Sequence, residues 1–267
     1  MILATLAAAL ALLAPKPATL IAAGDVASCR SPGDEATAAL VAKIPGTVAV
    51  LGDIAYDRGT AAELARCYSP SWGRFRTRTR PALGNHDYGS GSAAPSIAYF
   101  GLPERGYYSY ELGAWHVVVL NSNCWAAGGC GAGSAQERWL RGDLAAHPVA
   151  CTLAYWHHPR WSSGLHGGTE AVAPLWNALA EAGADLALAG HDHHYERFAP
   201  IDGIRSFVVG TGGRSRYPVF RRTARSEVVD TRTYGVLKLT LRTDGYAWRF
   251  LPAAGGTFTD AGSARCR

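Results

Sequence analysis

Leu186-Ala187-Leu188-Ala189-Gly190-His191-Asp192-His193-His194-Tyr195-Glu196-Arg197 sets His191 and His193 two positions apart just past a short apolar run. An apolar run bounded by glycine reads as a buried strand, and Gly190 lets the backbone turn at its end. The two imidazoles are then presented to neighbouring points in space, as a pair of adjacent metal ions requires. Imidazole is the commonest neutral metal ligand in proteins. Four upstream segments repeat the design. Thr19 to Ala23 runs into Gly24-Asp25, and Thr47 to Leu51 into Gly52-Asp53-Ile54-Ala55-Tyr56. Pro81 to Leu83 runs into Gly84-Asn85-His86-Asp87, and Cys151 to Trp156 into His157-His158-Pro159. Ligands of open α/β sheets gather outside the carboxyl ends of strands, so these loops are placed to converge. Any one Gly-Asp or Gly-Asn pair is an ordinary turn. A whole series of strand-terminal Asp, Asn, Tyr and His side chains points to one metal-competent centre.

The ordered series GD, GDxxY, GNHD, H-x-P and GHxH resembles that of the calcineurin-like metallophosphoesterases, and within them the purple acid phosphatase branch. Many members of the superfamily carry Asp-x-His at the first motif, but here Asp25 is followed by Val26 and Ala27. Tyr56, three residues after Asp53, stands where the purple branch has its matching tyrosine. The resemblance runs from about Thr19 to Arg197 and weakens toward the C-terminus.

That resemblance implies a dinuclear centre. One metal takes Asp25, Asp53, Tyr56 and His193, and the other Asp53, Asn85, His157 and His191, with Asp53 bridging. The donor chemistry agrees. Hard oxygen donors including a phenolate suit Fe(III), and the imidazole-rich second site suits Zn, Fe(II) or Mn(II). A phenol with an ordinary pKa of ~10 loses its proton at neutral pH only to a strongly Lewis-acidic ion, and the Tyr-to-Fe(III) charge transfer would colour the protein. The plainer reading of Tyr56 is a packing aromatic beside the turn. The implied reaction is direct attack of metal-bound hydroxide on a phosphate ester, without a covalent enzyme intermediate. His86, next to Asn85, is expected to stabilise the transition state or help protonate the leaving group. His166 is either a second acid or phosphate contact, or a solvent-exposed loop histidine. His158 and His194 flank implied ligands, with His194 a candidate supporting group. His116 falls in a strand pattern, His147 at a helix end, and Asp87 and Asp192 orient neighbours or face solvent.

The 267 residues suit one α/β domain with a sizeable core. No linker, internal repeat or low-complexity tract interrupts them. With the first motif at Gly24, there is no room for the N-terminal β-domain of plant-type purple phosphatases, so residues 18–267 are expected to form a minimal catalytic domain. Ser134-Ala135-Gln136-Glu137 reads as a capping box opening a helix that turns Trp139, Leu140 and Leu144 inward. Val172, Leu175, Trp176 and Leu179 share a helical face that Gly183 can end. Leu237, Leu239 and Leu241 alternate with polar residues as a half-buried strand, and Asp244-Gly245 turns into a second strand, Tyr246 to Leu251. The expected architecture is a four-layer αββα sandwich, two packed β-sheets flanked by helices.

Residues 1–17 read as a signal peptide: the apolar run to Ala14 is too short to span a bilayer and has h-region length. It lacks the usual basic n-region, and the alternative is a buried N-terminal element. Six cysteines allow fifteen pairings. Cys124 with Cys130, Cys29 with Cys67, and Cys151 with Cys266 make a compatible set, and none sits in a C-x2-C zinc pattern. Such usage favours oxidising, extracellular conditions and, once the leader is cleaved, a chain without a membrane anchor. The net charge of +5 has the right sign for an anionic substrate. Arg74, Arg76, Arg78 and Arg80 either steer phosphate esters or form a solvated edge, and their alternation favours the edge. No aromatic-interleaved basic patch argues for nucleic-acid binding, and no motif speaks to oligomeric state.

The reading that follows is a secreted, two-metal phosphohydrolase acting on small phosphate monoesters. Its alternatives are a phosphodiesterase or nucleotide hydrolase on the same site, and an exported binding protein on a disabled scaffold, against which the intact ligand set argues.

Overall fold

In the computed structural model, which describes residues 16–267, the apolar runs become strands whose carboxyl ends meet. In chain order the strands are β1 (Ala18–Ala23), β2 (Thr47–Leu51), β3 (Thr79–Ala82), β4 (Tyr108–Leu112), β5 (Trp115–Val119), β6 (Cys151–Tyr155), β7 (Leu186–Ala189), β8 (Tyr195–Phe198), β9 (Arg205–Val209), β10 (Ser226–Asp230), β11 (Gly235–Arg242), β12 (Gly245–Pro252) and β13 (Ala261–Arg265). They form a six-stranded sheet, β13-β12-β11-β1-β2-β3, and a seven-stranded sheet, β10-β8-β9-β7-β6-β5-β4. β1, β2 and β3 run parallel, as do β5, β6, β7 and β9. Antiparallel strands complete both sheets, including the expected β11–β12 hairpin.

Alternation along the second sheet creates two apolar layers. Val117, Val119, Leu153, Tyr155, Leu186 and Leu188 face the core between the sheets, where they meet Leu20, Val50, Leu237 and Leu239 of the first. Their neighbours Val118, Ala154 and Ala187 face outward and pack beneath Leu140, Leu175, Trp176 and Leu179 of the helices Ala135–Ala146 and Ala173–Glu181. The first sheet is covered in part by the helix Gly33–Val41 through Ala38 and Val41. This is the αββα sandwich. Each large aliphatic side chain fully buried in it contributes roughly 1.5–3 kcal/mol.

Ser134 caps its helix, accepting from the Glu137 N–H at 3.3 Å. The reciprocal arm of the expected capping box is missing. Glu137 accepts from the Gly133 N–H at 3.0 Å and binds Arg141, because the guanidinium one turn on draws the carboxylate away from the cap. Gly183, at φ 79°, ends the helix Ala173–Glu181. The three compatible cysteine pairs are all bonded: Cys29–Cys67, Cys124–Cys130 and Cys151–Cys266. The arginine run precedes or opens β3, at the end of the strand away from Asn85. Arg78 donates to the carbonyls of Val41, Ile44 and Gly46, while Arg76 and Arg80 lie over Tyr99 and Tyr110. The run packs an edge and does not line the centre. Except for Lys16 and Pro17, the expected leader lies outside the described residues. Among those described, no helix is long and apolar enough to cross a membrane.

Candidate metal centre

β1, β2, β3, β6 and β7 deliver Asp25, Asp53, Asn85, His157 and His191 from just past their carboxyl ends. The turns are sharp: Asp25, Asp53 and His191 adopt left-handed φ values of 59°, 52° and 71°. Non-glycine residues rarely take that conformation, and it concentrates at functional sites. Two glycines let the loops close. A Cβ on Gly84 would stand 2.1 Å from Asp53 Oδ1, and one on Gly52 2.5 Å from His157 Nδ1.

The side chains fall into two overlapping groups. In the first, Tyr56 Oη lies 2.8 Å from both Asp25 Oδ1 and Asp53 Oδ2 and 3.2 Å from His193 Nε2. In the second, His157 Nε2 lies 3.1 Å from Asn85 Oδ1, 3.3 Å from Asp53 Oδ1 and 3.3 Å from His191 Nδ1. Asp53 gives one oxygen to each group. All the implied ligands are therefore brought together, in the implied division.

Tautomers sharpen the chemistry. His157 Nδ1 donates to the Leu51 carbonyl at 2.8 Å, and His193 Nδ1 to the Ser215 carbonyl. Rings so held turn Nε2 of both histidines into the cluster, the way backbone carbonyls orient metal-binding imidazoles. The cluster consists of acceptors with too few protons to join them. One phenol proton cannot serve two carboxylates, and the one proton that His157 Nε2 can carry cannot serve Asn85, Asp53 and His191 at once. Asp25 and Asp53 are fully buried, where isolated charge is costly. Cations between these atoms resolve each conflict, so the donor set fits two metal ions.

Electrostatics agree. Burial, then the charges of Asp25 and Asp53, push the Tyr56 hydroxyl well above 10. Burial opposes ionisation of Asp53, but the His157 charge and hydrogen bond outweigh it and hold the carboxyl far below 3.8. Burial likewise works against charge on His157, yet Asp53 raises it to about 9 in the metal-free protein. His158 is pushed down to about 3 and His191 to about 2, in each case by burial and then by His157.

His86 sits at the open edge, its side chain 37% exposed, with Nε2 3.9 Å from Asp53 Oδ2 and Nδ1 2.6 Å from the Asp57 carbonyl. His166 stands on the other flank, its ring 4.4 Å from that of His191. His158 meets the same ring at 4.4 Å and pairs with Ser122 at 2.8 Å. His194 binds Glu196 at 3.0 Å, outside both groups. Asp87 does not face solvent. It is buried and accepts from the Gly84, Asp53 and Ile54 N–H groups and from Ser96, tying the second and third loops together.

Two neighbours of the cluster were not anticipated from the sequence. Tyr217 stacks on His193 at 4.1 Å, and Arg214 lies 4.8 Å over the Tyr56 ring while pairing with Asp57 at 3.1 Å. Both follow β9, whose apolar run ends in Gly210-Thr211-Gly212-Gly213. That strand-to-glycine step is the pattern of the other loops and is the clue that could have found them.

The family model for the calcineurin-like phosphoesterases matches residues 3–195, and the chain belongs to that family. An uncharacterized protein of Mycobacterium tuberculosis is 28% identical over 187 residues, 60% of this chain and 34% of its own length. Human tartrate-resistant acid phosphatase type 5 is 35% identical over 78 residues, 29% of this chain and 24% of that protein. The chain thus spans about a third or less of the length of these curated relatives. The purple acid phosphatase PPD1 from yellow lupin (Lupinus luteus) seeds shares the fold, with a TM-score of 0.77 at 19% identity over 93% of this chain and 53% of that one.

Proposed function

We infer that the chain is a secreted dinuclear phosphohydrolase acting on small phosphate monoesters. The observation that carries this reading is the pair of acceptor clusters sharing Asp53. The similarity to acid phosphatases supports it. Asp25, Asp53, Tyr56 and His193 would hold one ion, and Asp53, Asn85, His157 and His191 the other. Such a pair clamps the phosphate oxygens and activates water for in-line displacement.

The protein's own groups do the rest. His86 donates from Nδ1 to the Asp57 carbonyl, so Nε2 faces the open edge beside Asp53, where it can contact a phosphate oxygen. His166 occupies the opposite flank, suited to the leaving group. Arg214 adds a fixed positive charge beside Tyr56, favouring an anionic substrate. Three oxygen-donor residues, Asp25, Asp53 and Tyr56, suit Fe(III) at the first position. The high Tyr56 pKa requires a strongly Lewis-acidic ion for its deprotonation. The second position suits Zn, Fe(II) or Mn(II). The three disulfides support an oxidising compartment.

The test is turnover of an aryl phosphate monoester beside the matching diester, on protein of assayed metal content. The reading expects monoester preference; diester preference would assign a phosphodiesterase to the same site. Absence of both activities with two metals bound would return the chain to a binding role. Iron at the first position predicts a visible absorption band that Tyr56→Phe abolishes, and an unchanged band contradicts the phenolate assignment.

A further inference from the structure

We propose that Asp192 is a positioning residue that holds the His166 proton on Nδ1 and turns Nε2 toward the leaving group of a bound phosphate ester. The proposal rests on the hydrolase reading above. Asp192 lies between His191 and His193, and its carboxylate points away from their cluster. Asp192 is fully buried, and among the described residues the partners of its carboxylate all belong to one loop. Oδ1 accepts from the His166 backbone N–H at 3.0 Å and faces the His166 Nδ1 at 2.9 Å; Oδ2 accepts from the Ser162 hydroxyl at 2.5 Å. A carboxylate only accepts, so the ring nitrogen facing it carries the proton. Nε2, on the far side of the ring, has no protein partner among the described residues, and the His166 side chain is 42% exposed.

The loop is built to close on that carboxylate. A Cβ at Gly164 would stand 2.3 Å from Asp192 Cγ, so only glycine permits the approach. Glu196, also fully buried, provides a second anchor, accepting from the Ser163 N–H at 2.8 Å and its hydroxyl at 2.5 Å. One short segment thus points alternate residues in two directions: His191 and His193 to the metal cluster, Asp192 and Glu196 to the loop. An isolated imidazole favours the proton on Nε2, so the opposite tautomer is imposed by the protein. The Asp192 bond also fixes the ring plane, so that a proton carried on Nε2 is aimed at a departing alkoxide.

Imidazole nitrogen NMR on the zinc-loaded protein tests the tautomer directly. The wild type should show His166 protonated on Nδ1; a wild-type ring protonated on Nε2 alone overturns the proposal without recourse to any variant. In Asp192→Ala the proton should shift toward Nε2, while in Ser162→Ala, which loosens the same loop but spares the Asp192–His166 bond, it should stay. For turnover, Asp192→Ala and His166→Ala should each slow an alkyl phosphate by about a hundredfold, on the scale of lost general-acid catalysis. The loss on an aryl phosphate, whose good leaving group needs little protonation, should be about tenfold smaller. The double variant should be no slower than His166→Ala, as expected for residues acting as a unit. Multiplicative losses, or equal losses on both substrates, contradict the positioning role. A wild type that binds metal, shows the Nδ1 proton and hydrolyses neither ester sinks the hydrolase reading and the leaving-group role with it, while leaving the Asp192–His166 geometry supported.

Discussion

His157 and His116 are both fully buried, and each stands in a cluster whose ligand-competent atoms lie within 4.8 Å of one another. Asp25, Asp53 and His157 form one cluster; Glu111, His116 and His147 form the other. Residue types alone would rate them alike. Their protons separate them. His157 commits Nδ1 to a backbone carbonyl and turns Nε2 toward Asn85, Asp53 and His191, more partners than one proton can serve. His116 has a carboxylate at each nitrogen, Glu111 at 2.7 Å on Nδ1 and Asp143 at 2.7 Å on Nε2. A ring proton on each side satisfies that arrangement completely. His147 stacks flat on His116 at 4.4 Å with 10° between the planes, so its in-plane lone pairs run alongside those of His116 and do not converge with them. One cluster calls for metal ions and the other is already closed by a proton.

The comparison breaks most sharply at Asp53. Asp53→Asn should lose the shared ligand and reduce turnover by about a thousandfold, the scale of removing a principal electrostatic stabiliser, with metal content falling by elemental analysis. Near-normal activity and metal content would dissolve the distinction. His116→Ala should instead leave metal content and turnover intact but destabilise the fold by roughly 3 kcal/mol, the scale for breaking a buried ion pair. That loss depends on pH. Burial opposes charge on His116, but its hydrogen bonds to Asp143 and Glu111 outweigh it and raise its pKa above 6.5. Its contribution is therefore complete below 6.5 and fades as pH rises through the raised value. For Asp143, burial is outweighed by the His116 and Ser109 hydrogen bonds, and the pKa falls below 3.8, so its share is lost only as pH drops through that lowered value. Thermal melts should show the largest His116→Ala deficit between 3.8 and 6.5, shrinking in alkali; a deficit that grows with pH contradicts the proton clamp.

A third effect sharpens the metal side. Saturating metal at a hundred times Kd should stabilise the chelated protein by about 2.7 kcal/mol, and equally so in the His116→Ala variant. A stabilisation that vanishes in that variant would place the metal in the wrong cluster. The smallest effect belongs to His147→Ala. Its ring is 42% exposed and lies 3.6 Å from the Asp143 carboxylate, so the change should cost about 0.5 kcal/mol and leave metal content unchanged.

The side chains that the structure clusters were legible in the sequence because each follows an apolar strand and a turn, a pattern local enough to survive without coordinates. His191 and His193 show it best, two residues apart after Leu186–Ala189. The partners that give those side chains their chemistry were out of reach. Asp143 meets His116 across 27 residues, Asp192 meets His166 across 26, and Tyr217 reaches back 24 to His193. No periodicity encodes such contacts, since they depend on how sheets and loops pack. The capping box at Ser134 failed in its second arm for a local reason, a competing i,i+4 pair in which Arg141 took the Glu137 carboxylate.

An anomalous difference map from crystals of the metal-loaded protein tests the central claim most directly. The account predicts two peaks roughly 3.5–4 Å apart with Asp53 between them, one beside Tyr56 and one beside His157, and none at His116. A single peak lacking Asp53 contact, or density between Glu111 and His147, would contradict it.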